Sequence, residues 1–171
     1  TVGVIAIDLN GFRTINDARG YLIGDEVLSL VGEGLLRCVR PWDIVARVGG
    51  DEFAILVVGN QLERSATLIF ERVQRLLGGL VLSDGDVLPL STSAGYAIND
   101  RGDEGTEILL RNADLALSRA RTSPHVELMR FEHHMHDALL MRVRAERELR
   151  QAFDNNEFVM YFQPVVKLPS R

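Results

Sequence analysis

Two short apolar runs, Ile44-Val45-Ala46 and Ala54-Ile55-Leu56-Val57-Val58, flank the stretch Gly49-Gly50-Asp51-Glu52. β-Branched runs so close together read as a hairpin, and the glycines are expected to supply the positive φ of its tight turn. This commits the chain to a sheet and places two adjacent acids, Asp51 and Glu52, at the tip of a rigid element. Tip acids are ordinarily solvated turn residues, and spacing alone does not set that reading aside. A third acid, Asp8, ends another apolar strand, Val4-Ile5-Ala6-Ile7. Carboxylates on two strand ends suit a Mg²⁺ ion carrying a triphosphate.

The other elements follow from periodicity. Val2 to Asp8 is a buried strand, and Gly11 to Arg19 a short helix stopped by Gly20. A second helix is expected to open near Gly24-Asp25, with Val27, Leu28, Val31, Leu35 and Val39 on one face, and to end at Pro41. Gln61 to Leu77 is a third, closed by Gly78-Gly79. Leu80 to Leu82 and Leu88 to Ile98 read as strands around Asp84-Gly85-Asp86. Glu107 to Arg121 is a fourth helix, with Leu110, Ala113, Leu117 and Ala120 inward. The order predicts an α/β sandwich, with helices packed on a mixed sheet. It suits the ferredoxin-like palm of nucleotide cyclases and polymerases.

A length of 171 residues suits one domain with room for part of another. No run is long and apolar enough to span a bilayer, so no membrane contact is expected within the chain. It starts at Thr1 directly on a strand and reads as cut from a longer polypeptide. The single cysteine, Cys38, lies in an apolar helix pattern and reads as a small buried hydrophobe. A net charge of −5 argues against a nucleic-acid partner, which wants a basic face.

The string Gly49-Gly50-Asp51-Glu52-Phe53 resembles the signature of the GGDEF family, the diguanylate cyclases. Asp8-Leu9-Asn10-Gly11-Phe12-Arg13, Ile15-Asn16-Asp17 and Gly24-Asp25 precede it in the family's order and spacing. The resemblance covers residues 1–131, with the family's usual N-terminal helix missing, and implies the same palm-like fold. Residues 132–156, rich in Glu, Arg, Ala and Leu, read as a connector helix with a loose stripe of Leu139, Leu140, Val143, Leu149 and Phe153. The following Glu157 to Val166 reads as a strand. It resembles the opening of EAL domains, the cyclic di-GMP phosphodiesterases, which makes residues 157–171 the start of such a domain and the parent a GGDEF–EAL tandem.

The resemblance implies Asp8, Asp51 and the backbone carbonyl of Leu9 as ligands of Mg²⁺ (or Mn²⁺). Asp51 and Glu52 are the catalytic acids, Glu52 as second-metal ligand or proton acceptor. Asn16 and Asp25 match the pair that reads guanine, an amide and a carboxylate against its N–H edge. Each also has a structural alternative, a polar helix face and a helix N-terminal acid. Phe12, Arg13, Gly50 and Arg121 complete the nucleotide pocket. Arg40 and Asp43, in Arg40-Pro41-Trp42-Asp43, match the inhibitory site where cyclic di-GMP binds as product; a helix-end arginine beside its own surface acid is the alternative.

The sequence departs from the family pattern at Asn10, Tyr21 and the run Ser118 to Val126. There Arg121 stands for lysine and His125 for arginine, with Ser118 and Pro124 also changed. One lost charge-assisted phosphate contact weakens binding by roughly 1.5–3 kcal/mol. Two readings follow. One is a cytoplasmic diguanylate cyclase acting as a homodimer on two GTP molecules. The other is a GTP-binding regulatory module for an adjoining EAL domain, and a bare dimerisation scaffold is a third.

Overall fold

The computed structural model describes residues 1–99 and 105–164. The elements run β1 (Val2–Asn10), α1 (Phe12–Arg19), α2 (Tyr21–Cys38), β2 (Ile44–Arg47), β3 (Glu52–Val58), α3 (Leu62–Leu77), β4 (Leu80–Val81), β5 (Val87–Leu88), β6 (Ser91–Asn99), α4 (Thr106–Thr122), β7 (Leu128–Arg130) and α5 (His133–Asp154). Contacts divide the chain into a unit of Thr1–Met135 and a unit of His136–Arg171.

The first unit is built on a five-stranded mixed sheet in the order β2-β3-β1-β6-β7. Only β7 runs parallel to its neighbour. β1 is the centre because both of its faces are apolar. Ile5, Ile7 and Leu9 pack with Phe12, Val31, Leu35, Ile69 and Val73 from α1, α2 and α3. Alternate residues point to opposite faces of a strand, so Val4 and Ala6 pack instead with Leu109, Ala113 and Leu117 of α4. This is the mixed α/β sandwich read from the sequence. Gly95 of β6 sets how closely α4 approaches: a Cβ there would lie 2.0 Å from the Leu117 backbone nitrogen.

Several expectations need correction. α2 begins at Tyr21, immediately after Gly20, rather than near Gly24. Tyr21 and Leu22 are 77% and 86% exposed, so that turn carries no apolar periodicity to read. The helix ends at Cys38, before Pro41. The strand expected over Leu88 to Ile98 is split at Pro89, which lacks a ladder donor. Val87–Leu88 pairs with β4, while Ser91–Asn99 enters the main sheet. β7, three residues long, is too short to show alternation. It is held by hydrogen bonds from Ala94 N to Glu127 O and from Phe131 N to Tyr96 O, both 2.7 Å.

In the second unit, Arg142 pairs with Glu146 at 2.9 Å, one helical turn on. The helix closes with Asn156 in the left-handed region, φ 57°. Residues 157–164 form no strand. An extended run becomes a strand only when another backbone takes up its N–H and C=O groups; here Glu157 N donates back to Ala152 O of α5 at 2.9 Å, and no strand pairs with the run among the described residues. Phe158, Val159, Met160, Tyr161 and Phe162 are exposed. Val165 and Val166 of that expected strand lie outside the described residues.

Candidate active site

The site forms where β1 and β3 end together. Their antiparallel register sets Asp8 opposite Glu52, and Leu9 N donates to Asp51 O at 3.3 Å. Asp51 precedes β3 and Glu52 begins it, so all three acids share one end of two paired strands. N–H and C=O of a strand residue point to the same side, which turns the Leu9 carbonyl toward the Asp51 loop as well. Asp8 is only 8% exposed.

The loop between the strands is not the glycine-dependent tight turn expected. Four residues, 48–51, separate β2 from β3, and neither Gly49 nor Gly50 adopts positive φ. The longer loop is closed by Val48 N and Gly49 N donating to Glu52 O at 3.0 and 3.3 Å, and by a side chain: Arg47 donates from Nε to the Gly49 and Gly50 carbonyls at 3.1 and 3.0 Å, and from Nη2 to Gly50 O at 2.7 Å. Gly50 has open space where a Cβ would stand, leaving its backbone approachable.

Arg121, in the last turn of α4, reaches across this end of the sheet. Its Nη2 donates to Asp8 Oδ2 and, at 3.0 Å, to Glu52 Oε1. Burial pushes the Asp8 carboxyl above its ordinary range, Arg121 pulls it down, and Asp51 and Glu52 push it up again. Asp114 responds to the same charges. The residue is exposed, but partial withdrawal of its carboxyl from water raises it, the Glu52 charge adds to that, and Arg121 opposes both. Sequence reasoning missed Asp114, although it lies two helical turns before Arg121 on the same face. Asn10 is tied to β6 through Ser93 Oγ at 3.1 Å and Ser91 Oγ at 3.3 Å, away from any ligand role.

A groove of about 480 Å³ opens between α2 and the β2–β3 hairpin, lined by Asp25, Leu28, Ser29, Leu36, Arg47 and Phe53, among others. The Asn16 carboxamide oxygen is buried without a hydrogen-bond partner. It abuts Gly24, where a Cβ would sit 1.9 Å from it. Phe12 is a core residue beneath the same glycine, and the exposed Arg13 lies 3.9 Å from Asp17. A larger cavity, about 580 Å³, lies at the opposite end of β1 near Leu62 and Arg130; neither cavity is lined by Asp8, Asp51 or Glu52.

Arg40 and Asp43 form a closed turn: Arg40 N donates to Asp43 Oδ2 and Asp43 N to Arg40 O, each at 3.0 Å. Asp43 Oδ1 is buried and unpaired, and the Arg40 guanidinium lies 5.9 Å from the Trp42 ring centre. Ser118, Pro124 and His125 are exposed, with His125 in the left-handed region at φ 65°.

The profile described as "Diguanylate cyclase, GGDEF domain" matches residues 1–125. The chain belongs to the GGDEF family. Over 98% of its length it is 32% identical to the bifunctional diguanylate cyclase/cyclic di-GMP phosphodiesterase MucR of Pseudomonas aeruginosa. It is 30% identical, over the same share, to the cyclic di-GMP phosphodiesterase NbdA of that organism. It spans only 24% and 21% of those two proteins. The GGDEF domain of P. aeruginosa TpbB (YfiN) superposes with a TM-score of 0.74 at 29% identity, covering 81% of each chain.

Proposed function

We propose that this domain is a diguanylate cyclase, joining two GTP molecules into cyclic di-GMP with release of two pyrophosphates. The observation that carries the reading is the unpaired, buried Asn16 oxygen against Gly24, the residue before Asp25, in a chain whose Asp8, Asp51 and Glu52 share one end of two paired strands. It is an acceptor without a donor, and guanine offers two N–H groups on one edge. Asp25 takes the second of these. Arg47 and Phe53, which bracket the acidic loop in the chain, also line the groove that contains Asp25, which brings the proposed base-reading carboxylate and the loop to neighbouring parts of the domain.

The donor set fits a hard cation. Asp8, Asp51 and the Leu9 carbonyl are oxygen ligands, few in number, as Mg²⁺ prefers when phosphates complete its shell. Among the described residues no fuller metal cage exists. When bound, the ion supplies charge neutralisation on the triphosphate and acidifies the attacking 3′-hydroxyl. The chain's own parts do the rest. Glu52, at the start of β3, accepts the proton of that hydroxyl or holds a second ion. The Gly50 backbone lies against phosphate, and Arg121 offers the triphosphate a cation. Each protomer holds one nucleotide, so the reaction needs two domains face to face, and the pairing provides proximity. Arg40 and Asp43 form the product-binding inhibitory site.

Residues 132–156 and 157–171 are the connector and the opening of an EAL domain. MucR and NbdA support this, since their similarity runs through the whole chain and both names include cyclic di-GMP phosphodiesterase. One observation favours the second reading, a regulatory GTP-binding module: Arg121 already holds two of the acids. No helix among the described residues is long and apolar enough to cross a membrane.

The test is mass-spectrometric detection of cyclic di-GMP after incubating concentrated protein with GTP and Mg²⁺, beside Asp51→Ala and an artificially dimerised form. Product that vanishes in the variant establishes the cyclase. No product from the forced dimer, with GTP still binding by calorimetry, overturns catalysis in favour of the regulatory module.

A further inference from the structure

Arg121 stands apart from the other arginines near the site. Arg47 spends its guanidinium on backbone carbonyls. Arg121 spends its own on two carboxylates from two different strands, Asp8 and Glu52. The Asp8 side chain is 12% exposed, so one of these ion pairs is largely withdrawn from water. An anion removed from solvent needs a cation beside it, and here a side chain of the same molecule provides it. The helix that delivers it is fixed: α4 lies against β6 through Gly95 at a backbone-to-backbone approach that no side chain could enter.

We propose that Arg121 is a built-in counter-cation that occupies the metal-binding carboxylates, so that a free divalent ion and this guanidinium exclude one another. The inference rests on the reading of Asp8 as a metal ligand. A cation entering between Asp8 and Asp51 meets a guanidinium already bonded to the Asp8 oxygen it requires. The side chain must swing away first, and like charges at that spacing repel. Both bonds leave one nitrogen, Nη2, so what separates arginine from lysine here is reach: the ammonium sits one bond closer to the backbone on a flexible stem, and arginine at this position closes the site more firmly than lysine does. The domain thereby discriminates against free metal in the absence of an anion that draws Arg121 off. A nucleotide triphosphate is such an anion, which makes Arg121 a residue that couples metal entry to substrate.

The experiment is calorimetric titration of Mn²⁺ into nucleotide-free protein, using wild type, Arg121→Ala, Arg121→Lys and Asp8→Asn, with thermal melting to verify folding. Arg121→Ala is expected to bind Mn²⁺ at least tenfold more tightly than wild type, with Arg121→Lys between them. The double change Arg121→Ala with Asp8→Asn is expected to lose that gain. Unchanged affinity in both Arg121 variants, with Asp8→Asn weakened, overturns the counter-cation and leaves the metal site standing. Binding that is indifferent to Asp8 in every background overturns the metal site and the inference together. If Arg121→Ala does not fold, Arg121→Lys alone decides: affinity no tighter than wild type refutes exclusion.

Discussion

The carboxamide oxygen of Asn16 occupies the space that a side chain on Gly24 would need, 1.9 Å from the ideal Cβ position. One helix thus hands its polar group through a gap in the next. The obstructing atom is the end of a flexible side chain, so Gly24→Ala is expected to rotate Asn16 away at small cost. Alanine's better helix propensity, worth about 1 kcal/mol, offsets much of that cost. The expected outcome is a melting temperature within a few degrees of wild type and a guanine-nucleotide affinity about tenfold weaker, a lost hydrogen bond to a buried partner being worth about 1–3 kcal/mol. An unchanged affinity by calorimetry would remove Asn16 from the nucleotide site.

Gly95→Ala meets different atoms. Its new Cβ would face backbone, the Leu117 nitrogen at 2.0 Å and the Ala113 carbonyl oxygen at 2.4 Å, and neither can rotate aside. α4 must lift from the sheet. Overpacking of this kind costs roughly 1–3 kcal/mol or more, so urea denaturation should show a loss near the upper end of that range. Retained stability would mean that α4 sits further from β6 than described.

Much of this architecture was legible in advance, and the misses have physical causes. The central strand was plain because an apolar run buried on two faces admits few other readings. The acids could be placed at strand ends from the apolar runs beside them, but spacing alone left them readable as solvated turn residues, and the resemblance to the GGDEF signature singled them out. Tyr21 and Leu22 hid the first turn of α2 because an exposed apolar pair at a helix start mimics no periodic pattern. Gly49 and Gly50 misled in the opposite way: their conformational freedom suggested positive φ, whereas backbone bonds to Glu52 O and the Arg47 side chain together close the loop without it. Asp114 was overlooked because its charge matters only through Glu52 and Arg121, distant in sequence and near in space. The run Phe158 to Phe162 has strand composition, but a strand is completed by a neighbour, and composition does not supply one.

Asp114 gives the fold a pH signature. Asp114 sits at the surface, yet its carboxyl is held above the ordinary value of 3.8, first by partial withdrawal from water against the sheet end and then by Glu52. The folded state therefore keeps a proton that the unfolded chain releases. The stability from that uptake is complete below 3.8 and is lost as pH rises through the raised native value. The difference in unfolding free energy between wild type and Asp114→Asn should accordingly fall, in wild type's disfavour, as pH rises from about 4 toward neutrality. Urea titrations across that range measure it; a flat difference contradicts the assignment.

Arg40→Ala tests the proposed inhibitory site. The side chain lies near Trp42 and its backbone N–H is bonded by Asp43, so truncation leaves the turn intact and removes only the guanidinium. Cyclic di-GMP affinity, followed by calorimetry, is expected to fall about tenfold to a hundredfold, the range for one charge-assisted contact. Asp43 stays in place, and the melting temperature should hardly move. Undiminished product binding would place cyclic di-GMP elsewhere.

The ion pair between Asp8 and Arg121 joins residues 113 positions apart, the first strand to the end of α4. β1 also waits for β6 before its second edge is covered. Contacts that close such long loops are entropically late. During synthesis the acids therefore emerge long before the cation that will face them. Any chain released before α4 is made carries the recognisable signature string without the charge balance that completes it.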